Sequence, residues 1–329
     1  MLPLKGMRLE EHYTPGILLQ FSPQLNRAGC VAACAGACRN PVDFGVCPEV
    51  KLAAYHARSN TSPGRGVIDL RMPLPRAILF DMDDTLIEFA GSAGPCWKAV
   101  CGRFAPECDG VASERLLAAL DAYRTWYWSD PDRHRIGRLN MAAARREVIA
   151  GAFRNLGLDR PALIDPMADA FAEARAEALR LFPEAIDVMR DLRSLSLRLA
   201  LITNGESGEQ RAKIERFGLA PHFDCILVEG EFGVGKPDAR VYRHVLDRLG
   251  IEPADAWMVG DNLEWDVWGA QQAGVRGIWR DVASTGLPPT SPVQPDRIIR
   301  SLTELIPGKS ARCADPRKEE AGPDDGHSI

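Results

Sequence analysis

The chain alternates between short unbroken apolar runs and longer stretches in which apolar residues return every three or four positions. Ala77 to Phe80, Leu199 to Ile202, Cys225 to Val228 and Trp257 to Val259 are four such runs, and Gly277 to Trp279 is a weaker fifth. None alternates apolar with polar residues, which predicts parallel strands covered on both faces. Helical patterns separate them at about Pro183 to Ser196, Glu206 to Phe217, Asp238 to Leu249 and Leu263 to Ala273, with Gly218 and Gly250 as C-terminal caps of two. Strand and helix alternating in this order predict an α/β fold, a doubly wound parallel sheet.

One interval breaks that rhythm. Between Leu86 and Phe182 no strand is apparent, only helical stretches near Cys96 to Phe104, Ser113 to Trp128, Met141 to Asn155 and Asp165 to Leu181. This predicts an all-helical insertion after the first strand, with Gly91, Ser92, Ala93 and Gly94 as a flexible hinge at its entrance. The expected organisation is a core from residues 72–90 and 183–307 and a helical cap from 91–182. Residues 1–71 are rich in Pro, Gly, Ala and Cys and have no sustained period; they carry a net charge of +3 against −8 for the rest. A disordered extension is expected there, with Met72 as an alternative start, and a disordered tail over 308–329.

Composition narrows the class. Of 329 residues, 46% are hydrophobic and 26% charged, as in ordinary globular proteins. The net charge of −5 gives no basic field for nucleic acid. No apolar run approaches the roughly 18 residues of a membrane span. Nine cysteines, an odd number without paired spacings, argue against a disulfide framework and for a reducing compartment, so a cytoplasmic location is expected. Cys30, Cys34 and Cys38 match neither zinc nor iron–sulfur spacing.

The chemistry concentrates at the strand ends. Phe80-Asp81-Met82-Asp83-Asp84-Thr85 places three carboxylates at the end of a buried strand, a costly arrangement unless a cation joins them. Val259-Gly260-Asp261-Asn262-Leu263-Glu264-Trp265-Asp266 repeats the pattern. Each cluster alone fits a helix N-cap, but two acidic strand ends in one sheet fit hard oxygen ligands for Mg²⁺. Thr203-Asn204-Gly205 offers a hydroxyl, an amide and backbone N–H groups at a helix start, and Lys236-Pro237-Asp238 offers a cation at another; together they suit a phosphate. Trp126, Tyr127 and Trp128 read as cap packing and His134 as part of a solvated basic cluster. Trp265 and Trp268 are expected beneath the second acidic turn.

These four segments, in this order, resemble the four motifs of the haloacid dehalogenase superfamily over residues 76 to about 280, and the helical insertion resembles its subclass I cap. Leu201 to Asp281, with Gln210 and Lys213, is most similar to the N-acylneuraminate-9-phosphatase and pyrimidine 5′-nucleotidase branches. The resemblance implies a Rossmann-like core and a phosphatase acting on a small-molecule phosphate ester; from charge and hydropathy, no nucleic acid or membrane partner is expected. It implies Asp81 as the nucleophile and Asp83 as the acid/base. Thr203, Asn204 and Lys236 would bind phosphate. Asp81, Asp83 (through its carbonyl) and Asp261 would bind Mg²⁺, with Asp266 holding metal-bound water. Dehalogenases of the superfamily lack the second aspartate, so Asp83 favours phosphoryl transfer. A phosphomutase of the β-phosphoglucomutase kind is the alternative, and a catalytically silent binding protein is disfavoured by the intact set.

Overall fold

The computed structural model describes residues 73–308. The expected N-terminal extension and most of the expected tail, with Cys30, Cys34, Cys38, Cys47 and Cys313, lie outside these residues. Six strands form one parallel sheet: β1 (Ala77–Phe80), β4 (Arg198–Thr203), β5 (Cys225–Val228), β6 (Ala256–Gly260), β7 (Arg276–Arg280) and β8 (Arg297–Ile299). Their spatial order is β5-β4-β1-β6-β7-β8. The doubly wound α/β architecture expected from the apolar runs is the one observed.

Side-chain alternation along each strand divides the core into two layers. Ile78, Phe80, Leu199, Leu201, Trp257 and Val259 enter one, covered by Val188, Met189 and Leu192 of α6 (Ala185–Ser194). Ala77, Leu79, Ala200, Ile202 and Met258 enter the other, covered by Val241, Tyr242, Val245 and Leu246 of α9 (Ala239–Leu249). Phe80 pairs with Leu201 on one side and Val259 on the other, so β4, β1 and β6 finish side by side.

The insertion carries its own core. Helices α1 (Ala93–Phe104), α2 (Ser113–Ser129), α3 (Pro131–Arg138), α4 (Met141–Leu156) and α5 (Ile164–Ala178) bury Leu116, Leu120, Val148, Ile149 and Met167, with Trp97 stacked on Phe171 at 3.8 Å. Gly151 has to be glycine, since a Cβ there would stand 2.1 Å from the Tyr123 ring. No helix among the described residues is long and apolar enough to cross a membrane. The four described cysteines, Cys96, Cys101, Cys108 and Cys225, are free.

Several elements depart from expectation. Two short strands, β2 (Ile87–Glu88) and β3 (Arg180–Leu181), pair antiparallel where the chain enters and leaves the cap, so the interval is not strand-free. The four residues expected to form a hinge lie in helical turns, Ala90–Ser92 and the start of α1. Helix α3 has no signature in the apolar pattern because PDRHRIGR has one aliphatic residue; its start is fixed by Pro131 and by the Asp130 side chain accepting from Arg133 N. The helix expected from Leu263 splits into a π-helical turn (Leu263–Trp268) and a short α10 (Gly269–Gln272).

Candidate active site

The site lies at the carboxyl ends of β1, β4 and β6, where ligands of open α/β sheets bind. Asp81 follows β1 directly, and its N–H donates to Val259 O at 2.9 Å, continuing the pairing one residue beyond the strand. Its carboxylate is therefore fixed and buried. Asp84 adopts a left-handed φ of 59°, which aspartate tolerates, and its Oδ1 accepts from Phe89 N and Ala90 N, capping the turn that leads into the cap. Asp84 thus caps this turn rather than joining the acid cluster.

On the adjacent strand, Asn262 Oδ1 accepts from Glu264 N and Trp265 N and starts the π turn. That turn swings the buried Asp266 back against Gly260, where a Cβ would stand 2.2 Å from the Asp266 carboxylate. Lys236, which follows Gly235 on the loop after β5, completes the cluster. Its Nζ donates to Asp81 Oδ1 and to Asp266 Oδ1, each at 2.6 Å. Burial alone would lower the Lys236 pKa, but Asp266 and Asp81 outweigh it and hold the ammonium above the ordinary lysine range. Burial pushes Asp81 up to about 7, opposed by Lys236 and reinforced by Asp266. Burial, then Asp81 and Asp266, pushes Asp261 up to about 8.

One ammonium thus faces three carboxylates. One oxygen of each of Asp81, Asp261 and Asp266 lies within 4.8 Å of the others. Hard oxygen donors with excess negative charge fit a divalent cation such as Mg²⁺. Asp83 stands apart from this trio. Lys213 Nζ donates to both its oxygens, at 2.8 and 2.7 Å, and Gln210 Nε2 to Oδ2 at 3.1 Å.

The phosphate-binding candidates divide in the same way. Thr203, the last residue of β4, is buried and its Oγ1 accepts from Gln210 Nε2. Asn204 places its side chain on the Lys236 backbone: Oδ1 accepts from Lys236 N and Nδ2 donates to Lys236 O, both at 2.8 Å. It thereby braces the loop, which has a cis Lys236–Pro237 bond, and it also lines the cavity.

The cap closes over these groups through contacts the sequence did not reveal. Arg138 grips the buried Glu229 with two hydrogen bonds of 2.8 and 2.6 Å, and Glu229 also accepts from Gly205 N. Glu206 N donates to Arg138 O, and Met141 N to Glu206 Oε2. Trp265 does not lie beneath the turn: its ring meets His134 of the cap at 5.1 Å and the Arg138 guanidinium at 5.4 Å. His134 thereby meets both Trp128 and Trp265 edge to face and is half-buried instead of sitting in solvent. Between cap and core lies a cavity of about 1010 Å³, lined by Asp81, Asp83, Lys236 and Asp261 below and by Trp97, Phe171 and Arg175 above.

A carboxylate cluster at adjacent strand ends of a doubly wound sheet, closed by a helical cap, defines a capped α/β protein with a site suited to a divalent cation. The chain belongs to the haloacid dehalogenase-like hydrolase family, whose profile matches residues 75–274. Within it the chain stands with the phosphatases. It is similar to the phosphoserine phosphatase of Thermus thermophilus, with 39% identity over 210 residues, 62% of this chain and 78% of that one. It is also similar to the N-acylneuraminate-9-phosphatase of Rattus norvegicus, with 29% identity over 248 residues, 70% of this chain and 92% of that one. The 2-haloacid dehalogenase of Pseudomonas syringae shares 28% identity at a TM-score of 0.50 over 70% of this chain and 96% of that one. The magnesium-bound hydrolase YfnB of Bacillus subtilis shares the fold at 22% identity and a TM-score of 0.54, over 71% and 97%.

Proposed function

We propose that the chain is a Mg²⁺-dependent phosphatase that hydrolyses a small phosphorylated metabolite through an aspartyl-phosphate on Asp81. The observation that carries this reading is the pairing of Asp81 with Lys236 at 2.6 Å in a buried cluster that also contains Asp261 and Asp266. Asp81, Asp261 and Asp266 would hold Mg²⁺, with the Asp83 carbonyl added by the family resemblance. When bound, the cation supplies positive charge against the phosphoryl oxygens.

The residues divide the chemistry between them. An Asp81 oxygen attacks phosphorus, forming an O–P bond as the ester O–P bond breaks and its electron pair leaves on the alkoxide. Lys236 draws charge from the phosphoryl group at the moment it spreads over the oxygens. Thr203 Oγ1 binds a phosphoryl oxygen. Asp83 protonates the leaving alkoxide and then takes a proton from the water that cleaves the aspartyl-phosphate, a role worth roughly 10² to 10⁴ in rate. Both Asp83 oxygens accept hydrogen bonds, but among the described residues Oδ1 takes only Lys213 Nζ, so one of its lone pairs is free to carry the transferred proton. The cap excludes bulk water during the first step.

The relatives named for phosphoserine, N-acylneuraminate 9-phosphate and glyceraldehyde 3-phosphate support a small phosphate ester as the substrate class. They also favour hydrolysis over the phosphomutase alternative. Phosphate release should be measured over a panel of sugar phosphates, nucleotides and phosphorylated acids, with Mg²⁺ and with chelator. Metal-dependent release from at least one ester is expected; release undiminished in chelator would overturn the metal assignment.

A further inference from the structure

The arginines and lysines lining the cavity are engaged by protein acceptors, with one exception. Lys236 is held by Asp81 and Asp266, Lys213 by Asp83, Arg138 by Glu229, Arg145 by Glu209 and Arg124 by Asp121, while Arg216 donates to backbone carbonyls. Arg175, near the end of α5, is 9% exposed and lines the same cavity. Among the described residues its guanidinium meets no carboxylate, carbonyl or hydroxyl acceptor, and its Nε is buried with no hydrogen-bond partner. A buried cation left without an acceptor is a cost that a protein seldom carries unless something else supplies the acceptor.

Its place relative to the chemistry is defined by Phe89, on the strand-to-cap crossing. The Arg175 guanidinium lies 4.0 Å from the Phe89 ring centroid, and Lys213 Nζ lies 4.2 Å from the same centroid while holding Asp83. Arg175 thus shares the Phe89 ring with the lysine that grips Asp83, the residue that would protonate the leaving group, and lines the same cavity. Trp97 and Phe171 form the apolar wall beside it.

We infer that Arg175 binds a carboxylate on the leaving-group side of the substrate, so that the substrate class is small phosphorylated acids. This rests on the phosphatase reading above. A planar guanidinium matches a carboxylate with two parallel hydrogen bonds. A single negative charge also suits the site better than a second phosphate, because Asp83 and Asp84 line the same cavity and would repel a dianion more strongly.

The test compares kcat/KM within matched pairs: 2-phosphoglycolate with ethyl phosphate, and 3-phosphoglycerate with glycerol 3-phosphate. The acid of each pair is expected to be preferred about tenfold to hundredfold, the scale of a hydrogen bond to a charged group. Arg175→Met should bring the ratio close to one, and Arg175→Lys should retain part of it. The ratio is taken within one protein, so a general loss of activity does not mimic the effect. If the variants do not fold, the wild-type ratio decides alone. Equal use of both members of each pair by the wild type, or an unchanged ratio in Arg175→Met, would overturn the assignment. Failure of every monoester would instead overturn the phosphatase reading itself.

Discussion

Replacing Lys236 with methionine removes one charge while nearly keeping the length of the side chain. The Lys236 side chain is 1% exposed and, among the described residues, is the one cation in contact with Asp81 and Asp266. Without it, a buried carboxylate either stays unpaired, at a cost of about 3–5 kcal/mol, or takes up a proton. Neutralising a carboxylate of ordinary pKa costs roughly 5–6 kcal/mol at about pH 8 but only roughly 2 kcal/mol at about pH 5.5. The less costly route prevails at each pH. Stability without metal should therefore fall by about 3–5 kcal/mol at about pH 8 and by about 2 kcal/mol at about pH 5.5. The sign follows from linkage. Carboxylates whose folded pKa is raised hold protons that the unfolded chain releases, so stability declines as pH rises toward the raised value. Urea unfolding in chelator at the two pH values, with linear extrapolation, measures this directly. Turnover should fall by about 10² or more, as when a charge-stabilising donor is removed, and excess Mg²⁺ should recover folding but not activity. An unfolding midpoint equal to wild type at about pH 8, or a larger loss at the lower pH, would refute the reasoning.

Asp261→Ala should weaken Mg²⁺ binding by at least tenfold or abolish it, read by titration calorimetry. Mg²⁺ affinity in the wild type should rise with pH through about 7 to about 8, because protons on Asp81 and Asp261 compete with the cation; an affinity flat across that window would count against these ligands. Arg138→Gln leaves Glu229 buried with one of its cap–core contacts broken, so KM should rise several-fold; unchanged kinetics would show that this contact does not hold the cap. A chain starting at Met72 should keep the Tm and kcat of the full chain, as differential scanning and steady-state assays would report.

What the sequence disclosed was whatever is local along the chain. An apolar tetrapeptide ending at Phe80 before Asp81, and another ending at Gly260 before Asp261, announce both a strand and the chemistry at its end within a few residues. The partners of these groups are not local. The Arg138–Glu229 grip spans 91 residues and the Lys213–Asp83 contact 130, and no spacing rule connects them. Arg175 is one of several arginines in the cap helices, and only the packed cap reveals that it lacks an acceptor. Helix α3 was hidden because its apolar face is nearly absent, and β8 because Arg297–Ile299 is three residues long behind a proline-rich loop. The π turn was hidden for a different reason: Leu263 to Ala273 has ordinary helical periodicity, and the distortion is imposed by seating Asp266 against Gly260.

The central claim is that Asp81 carries the phosphoryl group. A single-turnover reaction with labelled monoester and Mg²⁺, quenched in acid within the first turnover and digested, should place label on the peptide containing Asp81. Asp81→Asn should show neither label nor turnover. Label on another residue, or phosphate released by Asp81→Asn at the wild-type rate, would contradict the account.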